Sequence, residues 1–301
     1  MSAVLALGTY RIAAEHLAAA AERAAAAPDP WIDTAPNYTG GAAHRLLAPV
    51  LAAHPRLKVA TKTGYLTPTT ARDAAAAGLP LTHSARHSLH PALVRRQIEQ
   101  ARTELGRDRL DAVFVHNPEH LPPDQLPAAL HQAFAVLEEH AAAGHLSGYG
   151  VATWNGFTDG RFTVASLDRI AHVAACTPDH HLRHIQLPVS LVEDTALAQA
   201  LLGRGPITHA AQRGWHVHAS APLHGGVLAR LDGGHELAEL LRPGATIAEA
   251  ALAATASCLG VERVLLSTAR TRHWNQALAA LAHPPLPPTV LQKVLRELAA
   301  P

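Results

Sequence analysis

Four side chains within the first 116 residues have the types needed to deliver a proton to a carbonyl oxygen: Asp33, Tyr38, Lys62 and His116. A tyrosine hydroxyl, with an ordinary pKa of about 10, is a poor acid at neutral pH, but an adjacent ammonium stabilises the phenolate and lowers the barrier to transfer. Lys62 can supply that charge, Asp33 can hold the lysine by a charge-assisted hydrogen bond, and a neutral His116 can orient the oxygen. Taken singly, each residue has an ordinary explanation: a turn acceptor, a surface aromatic, a solvated strand end, and one of 22 histidines. The chemistry depends on whether the chain brings them together.

The elements that would do so are legible as an alternation. Short apolar runs read as strands at 4–7, 31–33, 57–61, 110–115, 147–151, 184–187, 215–219 and 264–267. Stretches of helical composition follow at 14–27, 42–53, 91–105, 126–143, 163–175, 195–203, 246–258 and 273–282. Repeated strand-helix units at this length predict a (β/α)8 TIM barrel, a single α/β domain over 1–301. Asp33 then ends the second strand, Lys62 and His116 follow the third and fourth, and Tyr38 folds back from the loop IDTAPNYTGGA. Catalytic groups in such barrels come from the C-terminal ends of several strands. Ser88 and Thr246 read as helix caps, the latter with Glu249 three residues on. The stretches 63–90 and 221–245 read as irregular covers over the strand ends.

Composition removes other classes. With 25 Lys+Arg against 24 Asp+Glu the chain has no net field for a phosphate polymer or an anionic bilayer, so neither nucleic acid nor membrane is expected as a partner. Cys176 and Cys258 have no CxxC companion, and the first residues carry no basic, apolar export segment. Both observations point to the cytoplasm. The histidines at 83 and 87, at 180, 181 and 184, and at 216 and 218 come without HExxH or a matching carboxylate, so no metal is expected. His216 and His218 share strand parity with Ser220 and read as hydrogen-bonded core histidines, with a proton relay as the alternative.

Seven segments carry a likeness to a known family: LALGTY (5–10), WIDTAPNY (31–38), VATKTG (59–64), RTELGRDRLDAVFVHNP (102–118), GHLSGYGVATW (144–154), IQLPVS (185–190) and APLHGGVL (221–228). Over nearly its whole length the chain resembles the aldo-keto reductases, barrel enzymes that reduce aldehydes and ketones with a nicotinamide cofactor. The resemblance places the family's catalytic Asp, Tyr, Lys and His on Asp33, Tyr38, Lys62 and His116. It implies cofactor contacts from Gly8 and Thr9 beside the nicotinamide ribose and from Gln186 on the carboxamide. Pro222, Leu223 and Gly225 would lie over the pyrophosphate, where glycine lets backbone amides approach phosphate oxygens. Ser267, Thr268, Arg270, Arg272 and Gln276 would hold the adenosine end, the two arginines favouring NADPH over NADH.

The family's Ser-Asn pair after the fifth strand becomes Ala152 and Thr153, leaving Thr153 as the carboxamide contact. The aromatic ring that stacks on the nicotinamide becomes Ser220, and the Asn that follows Gln276 becomes Ala277. Tyr10, Asn117, Trp154 and His224 are the substrate-pocket candidates. The resemblance thus implies an NADPH-dependent oxidoreductase acting on a small carbonyl or alcohol, with Tyr38 as the general acid/base. The alternatives are a barrel that has lost redox turnover and binds a partner, or a non-redox acid-base enzyme.

Overall fold

The computed structural model describes residues 3–82, 86–177 and 179–298; His83 of the His83/His87 pair lies outside them. Eight strands follow one another in order around a closed parallel barrel. They are β1 (Val4–Gly8), β2 (Trp31–Asp33), β3 (Lys58–Thr63), β4 (Ala112–His116), β5 (Tyr149–Ala152), β6 (Leu182–Pro188), β7 (His216–Ser220) and β8 (Val261–Leu266). The helices are α1 (Ala14–Ala25), α2 (Ala43–Ala53), α3 (Pro68–Ala76), α4 (Pro91–Leu105), α5 (Leu126–Ala142) and α6 (Val164–Ala175). They continue with α7 (Thr195–Leu201), α8 (Gly205–Gln212), α9 (Gly234–Leu241), α10 (Ile247–Ala256), α11 (Thr271–Ala282) and α12 (Pro288–Leu298). The expected (β/α)8 barrel is the fold. Among the described residues no helix is long and apolar enough to cross a membrane.

The chain divides into two compact units, Leu7–Ile185 and the residues on either side of it. In Leu7–Ile185, crossover helices cover the strands, and strands so covered read as apolar runs rather than alternating ones. Ala112 to Val115 of β4 are all buried. The register pairs the ends of β1 and β2 (Gly8 with Asp33) and the ends of β4 and β5 (His116 with Ala152), while Asp33 pairs with Ala60, three residues before β3 ends, and Thr63 with Val115. A slip of one residue in β3 would exchange Lys62 for Thr61. In the observed register the Thr61 hydroxyl is 2.8 Å from Nε2 of the buried His44 on α2, a bond that a slip would break. Gly150 is required where β5 passes β6: a Cβ there would run into the His184 carbonyl.

The stretch 63–90 is not irregular throughout. Thr67 accepts from the Thr70 N–H, Pro68 opens the first turn, and an alanine run completes α3, a cap and composition already visible in the sequence. Ser88 does not cap α4: its Oγ accepts from the His90 N–H at 3.2 Å, and His90 Nδ1 takes the cap position, accepting from the Ala92 N–H.

In the second unit, β7 and β8 pair in parallel with a register shift at Val217 and His218. The alanine-rich α10 is buried from Ala250 to Thr255, and short side chains let it lie close over β8. Thr246 and Glu249 form the expected reciprocal cap. The stretch 221–245 contains two 3-10 turns and α9, which buries Gly234, Ala238 and Leu241. His218 is fully buried, but His216 is not a core histidine. It opens β7 half-exposed and binds Glu262 of the neighbouring strand; burial pushes that carboxyl up, but His216 and Arg263 together hold it down at about 2.

Candidate active site

Asp33 is the last residue of β2 and only 4% exposed. Its carbonyl is held by the Thr9 N–H at 2.9 Å and by the Thr9 hydroxyl at 3.0 Å, which leaves the carboxylate to Lys62. Lys62 Nζ donates to Asp33 Oδ1 at 2.5 Å and to the Thr34 carbonyl at 3.0 Å. With side-chain exposures of 2% and 6%, the two charges are desolvated together and stable only as a pair. Burial draws the Lys62 ammonium below its ordinary range, and the Asp33 carboxylate opposes that pull.

Tyr38 begins the short 3-10 turn after Asn37, its N–H bonded to the Ala35 carbonyl, and the next three residues have positive φ. This reversal turns the ring back toward the strand ends, where Lys62 Nζ stands 5.1 Å from the ring centroid. Burial raises the hydroxyl well above 10, and the charge of Asp33 raises it further. Asp33 neutralises the lysine at contact distance, so the resting phenol is held as the neutral acid.

His116 ends β4 with its ring edge-on to Tyr38, centroids 6.3 Å apart. Burial, then the positive charge of Lys62, pushes it well below 6.5, so it is a neutral imidazole. Its Nδ1 is buried and has no hydrogen-bond partner among the described residues. A buried polar atom left unmatched costs about 1–3 kcal/mol, so this one calls for a reason.

Around this set the structure adds residues to which the sequence reading gave no part in this site. Tyr65 packs edge-on against His116, centroids 4.9 Å apart, with its hydroxyl 2.8 Å from His120 Nδ1. The fully buried His87 donates from Nε2 to the His116 carbonyl at 2.8 Å, and Gln97 fixes the Gly64 N–H and the Tyr65 carbonyl. Gly64 has φ +115°, and a Cβ there would stand 2.9 Å from the His87 ring, so only glycine admits that ring. Tyr65 and His87 both belong to the 63–90 stretch, and His120 follows the H-N-P turn. The visible signal was only that the stretch is long for a connection between strand and helix.

Of the substrate-pocket candidates in this unit, Tyr10 is exposed, with its ring 5.2 Å from that of Tyr38, and Asn117 adopts φ 45° directly after His116. Trp154 is half-exposed in the loop after β5.

A model described as the Aldo/keto reductase family matches residues 4–294. The chain belongs to the aldo/keto reductase family. No curated protein sequence matches it, but solved structures share the fold. An aldo/keto reductase from Klebsiella pneumoniae in complex with NADP and acetate is 20% identical, covering 99% of this chain and 92% of that one at a TM-score of 0.66. The glycerol dehydrogenase from Gluconobacter oxydans is 18% identical, covering 98% and 91% at 0.70. The holo form of an aldo-keto reductase from Bacillus halodurans is 14% identical, covering 98% and 91% at 0.69.

For an aldo/keto reductase, the residues expected at the cofactor have mixed surroundings. In Leu7–Ile185, Gly8 ends β1 and Thr9 is fully buried with its hydroxyl committed to the Asp33 carbonyl. The Thr153 hydroxyl donates to Glu119 Oε1 at 2.7 Å and accepts from the Gly156 N–H at 2.8 Å. That same oxygen of Glu119 takes the Trp154 N–H, while Oε2 is buried with no hydrogen-bond partner among the described residues. Glu119 was absent from the sequence reading because nothing local distinguishes it from a surface carboxylate.

In the second unit, Gln186 is buried on β6 and Ser220 ends β7. Pro222 and Leu223 follow, and Ala221, His224, Gly225 and Gly226 all have positive φ, a backbone that exposes amides in succession. His224 Nδ1 lies 3.7 Å from Glu193, so its ring faces an acid. Thr268 Oγ1 accepts from the Arg270 N–H at the start of α11, where Ser267, Arg270 and Arg272 are exposed and Gln276 is half-buried.

Proposed function

We propose that the protein is an NADPH-dependent oxidoreductase that interconverts a small aldehyde or ketone and its alcohol, with Tyr38 as the general acid/base. The observation that carries this reading is the desolvated Asp33–Lys62 pair beside a phenol held neutral by its surroundings. In reduction, the Tyr38 hydroxyl gives its proton to the carbonyl oxygen, and Lys62 stabilises the phenolate that results. Asp33 keeps the lysine in place, and the neutral His116 offers a ring N–H to orient the oxygen. Tyr10, Asn117 and Trp154 offer the substrate aromatic surface and an amide.

The donor set of the second unit fits a phosphate-bearing dinucleotide. Amides of the 221–226 turn would take the pyrophosphate, and Arg270 and Arg272, beside the positive end of α11, would take a 2′-phosphate. The nicotinamide, when bound, supplies the hydride. Gln186 would hold its carboxamide; Thr153, whose proton goes to Glu119, would meet it only as an acceptor.

Titration with NADPH and then NADH, followed by tryptophan quenching and thermal shift, tests this reading. Preferred binding of NADPH, with turnover of an aldehyde panel lost in Tyr38→Phe while binding persists, is the expected result. Failure of both nucleotides to bind would favour a barrel without redox turnover, a reading supported by the commitment of Thr153 to Glu119.

A further inference from the structure

The histidine clusters visible in the sequence lacked a carboxylate, and packing supplies one at a different set of residues. Asp168 and His172 stand one turn apart on α6, which places them on one helix face. His180, just ahead of β6, closes against both. Its Nε2 is 3.1 Å from Asp168 Oδ1, and its ring centroid is 4.4 Å from that of His172 with the planes at 84°. One ligand atom from each of the three lies within 4.8 Å of the others. We propose that Asp168, His172 and His180 form a binding site for a divalent transition metal, with Zn2+ the ion best suited to two imidazoles and one carboxylate.

The hydrogen bonds around the cluster favour ligation at His172 and set a cost at His180. His172 Nδ1 lies 2.9 Å from the Asp168 backbone carbonyl. A donor there leaves the ring's lone pair on Nε2, the arrangement that backbone carbonyls commonly impose on metal-binding histidines. His180 is 4% exposed and its ring lies against Asp168. Its Nδ1 accepts from the Leu182 N–H at 3.2 Å, which puts the ring proton on Nε2, between the imidazole and Asp168. A metal ion takes the place of that proton. The ring proton moves to Nδ1, and the long bond from Leu182 is given up. Ligand atoms around zinc stand about 3.4 Å apart, and rotation of the exposed His172 side chain closes the present spacing. One lost hydrogen bond and an exposed third ligand set an affinity of roughly micromolar order rather than nanomolar. Three protein ligands leave the fourth tetrahedral position open.

The site lies at the start of β6, whereas Asp33, Lys62 and His116 occupy the far ends of their strands. Metal binding should therefore register as stability, independently of the proposed carbonyl chemistry. The test is a calorimetric and thermal-shift titration of tag-free, chelator-treated full-length protein with Zn2+. The expected result is one saturable equivalent that raises the melting temperature. His172→Ala, at an exposed position, should lose that equivalent. Asp168→Asn, which keeps an acceptor for His180, should weaken it by at least about tenfold. Other histidines take up zinc weakly, so the difference between wild type and variants decides. Isotherms that coincide, or a wild type with no saturable equivalent below about 100 μM, overturn the proposal. If His172→Ala lowers the metal-free melting temperature, Asp168→Asn carries the comparison.

Discussion

Tyr38 and Tyr149 are both raised well above 10, and for the same first reason, burial reinforced by a nearby carboxylate. Their surroundings differ in one respect. Tyr149 donates to Glu138 Oε1 at 2.8 Å, that oxygen also takes the His181 N–H, and Oε2 pairs with His181 Nδ1 at 2.6 Å. The Tyr149 ring packs on Phe134, centroids 5.1 Å apart. This cluster is saturated and needs nothing from outside. Beside Tyr38, His116 retains a buried nitrogen with no partner among the described residues, and a desolvated ion pair stands under the ring. A displaced pKa marks both regions alike; unfilled hydrogen-bonding capacity marks only the one assigned to chemistry.

The sharpest way to break this contrast is at the ion pair. Asp33→Ala strands the Lys62 ammonium among apolar strands and should cost about 3–5 kcal/mol of stability, read by urea unfolding, with turnover lost as well. A variant that unfolds with the wild type would show that water reaches the pair and that desolvation is not what holds it. Next in size is the Tyr149→Phe control. It should lower stability by about 1 kcal/mol, leaving the Glu138 oxygen one donor short, while kcat and KM stay unchanged. Loss of turnover in that variant would dissolve the distinction between the two tyrosines.

The smallest effect is a flat line. Reduction needs the neutral phenol, which persists at and above pH 10.0 because the Tyr38 value is raised. It also needs the neutral imidazole, which persists at and below pH 6.5 because the His116 value is lowered. The rate of reduction should therefore show no titration between those two values, while the reverse oxidation, which needs the phenolate, climbs with pH. A descending limb for reduction inside that window would place the acid elsewhere.

The strands and the four catalytic candidates were legible because a parallel barrel writes its strands as short apolar runs and puts its chemistry at their ends. Charge hid what was missed. Glu262 and Arg263 concealed the start of β8, which begins at Val261, ahead of the expected 264. In 63–90 the cap and alanine run of α3 were present, but the polar residues around them read as loop. The places of Tyr65, His87, His120 and Glu119 could not be read, because each acquires its role only when separate connections meet near one strand end. Asp168 joins His180 in the same way, across the turn between α6 and β6.

The sequence by itself determined the barrel and the identities of Asp33, Tyr38, Lys62 and His116, since side-chain periodicity and the order of strands are local properties. Only the tertiary structure decided their state: a lysine and its carboxylate shut away from water together, a phenol held neutral, a threonine that gives its proton to Glu119. These follow from desolvation and from who stands within about 3 Å of whom, quantities that packing sets and no stretch of sequence contains.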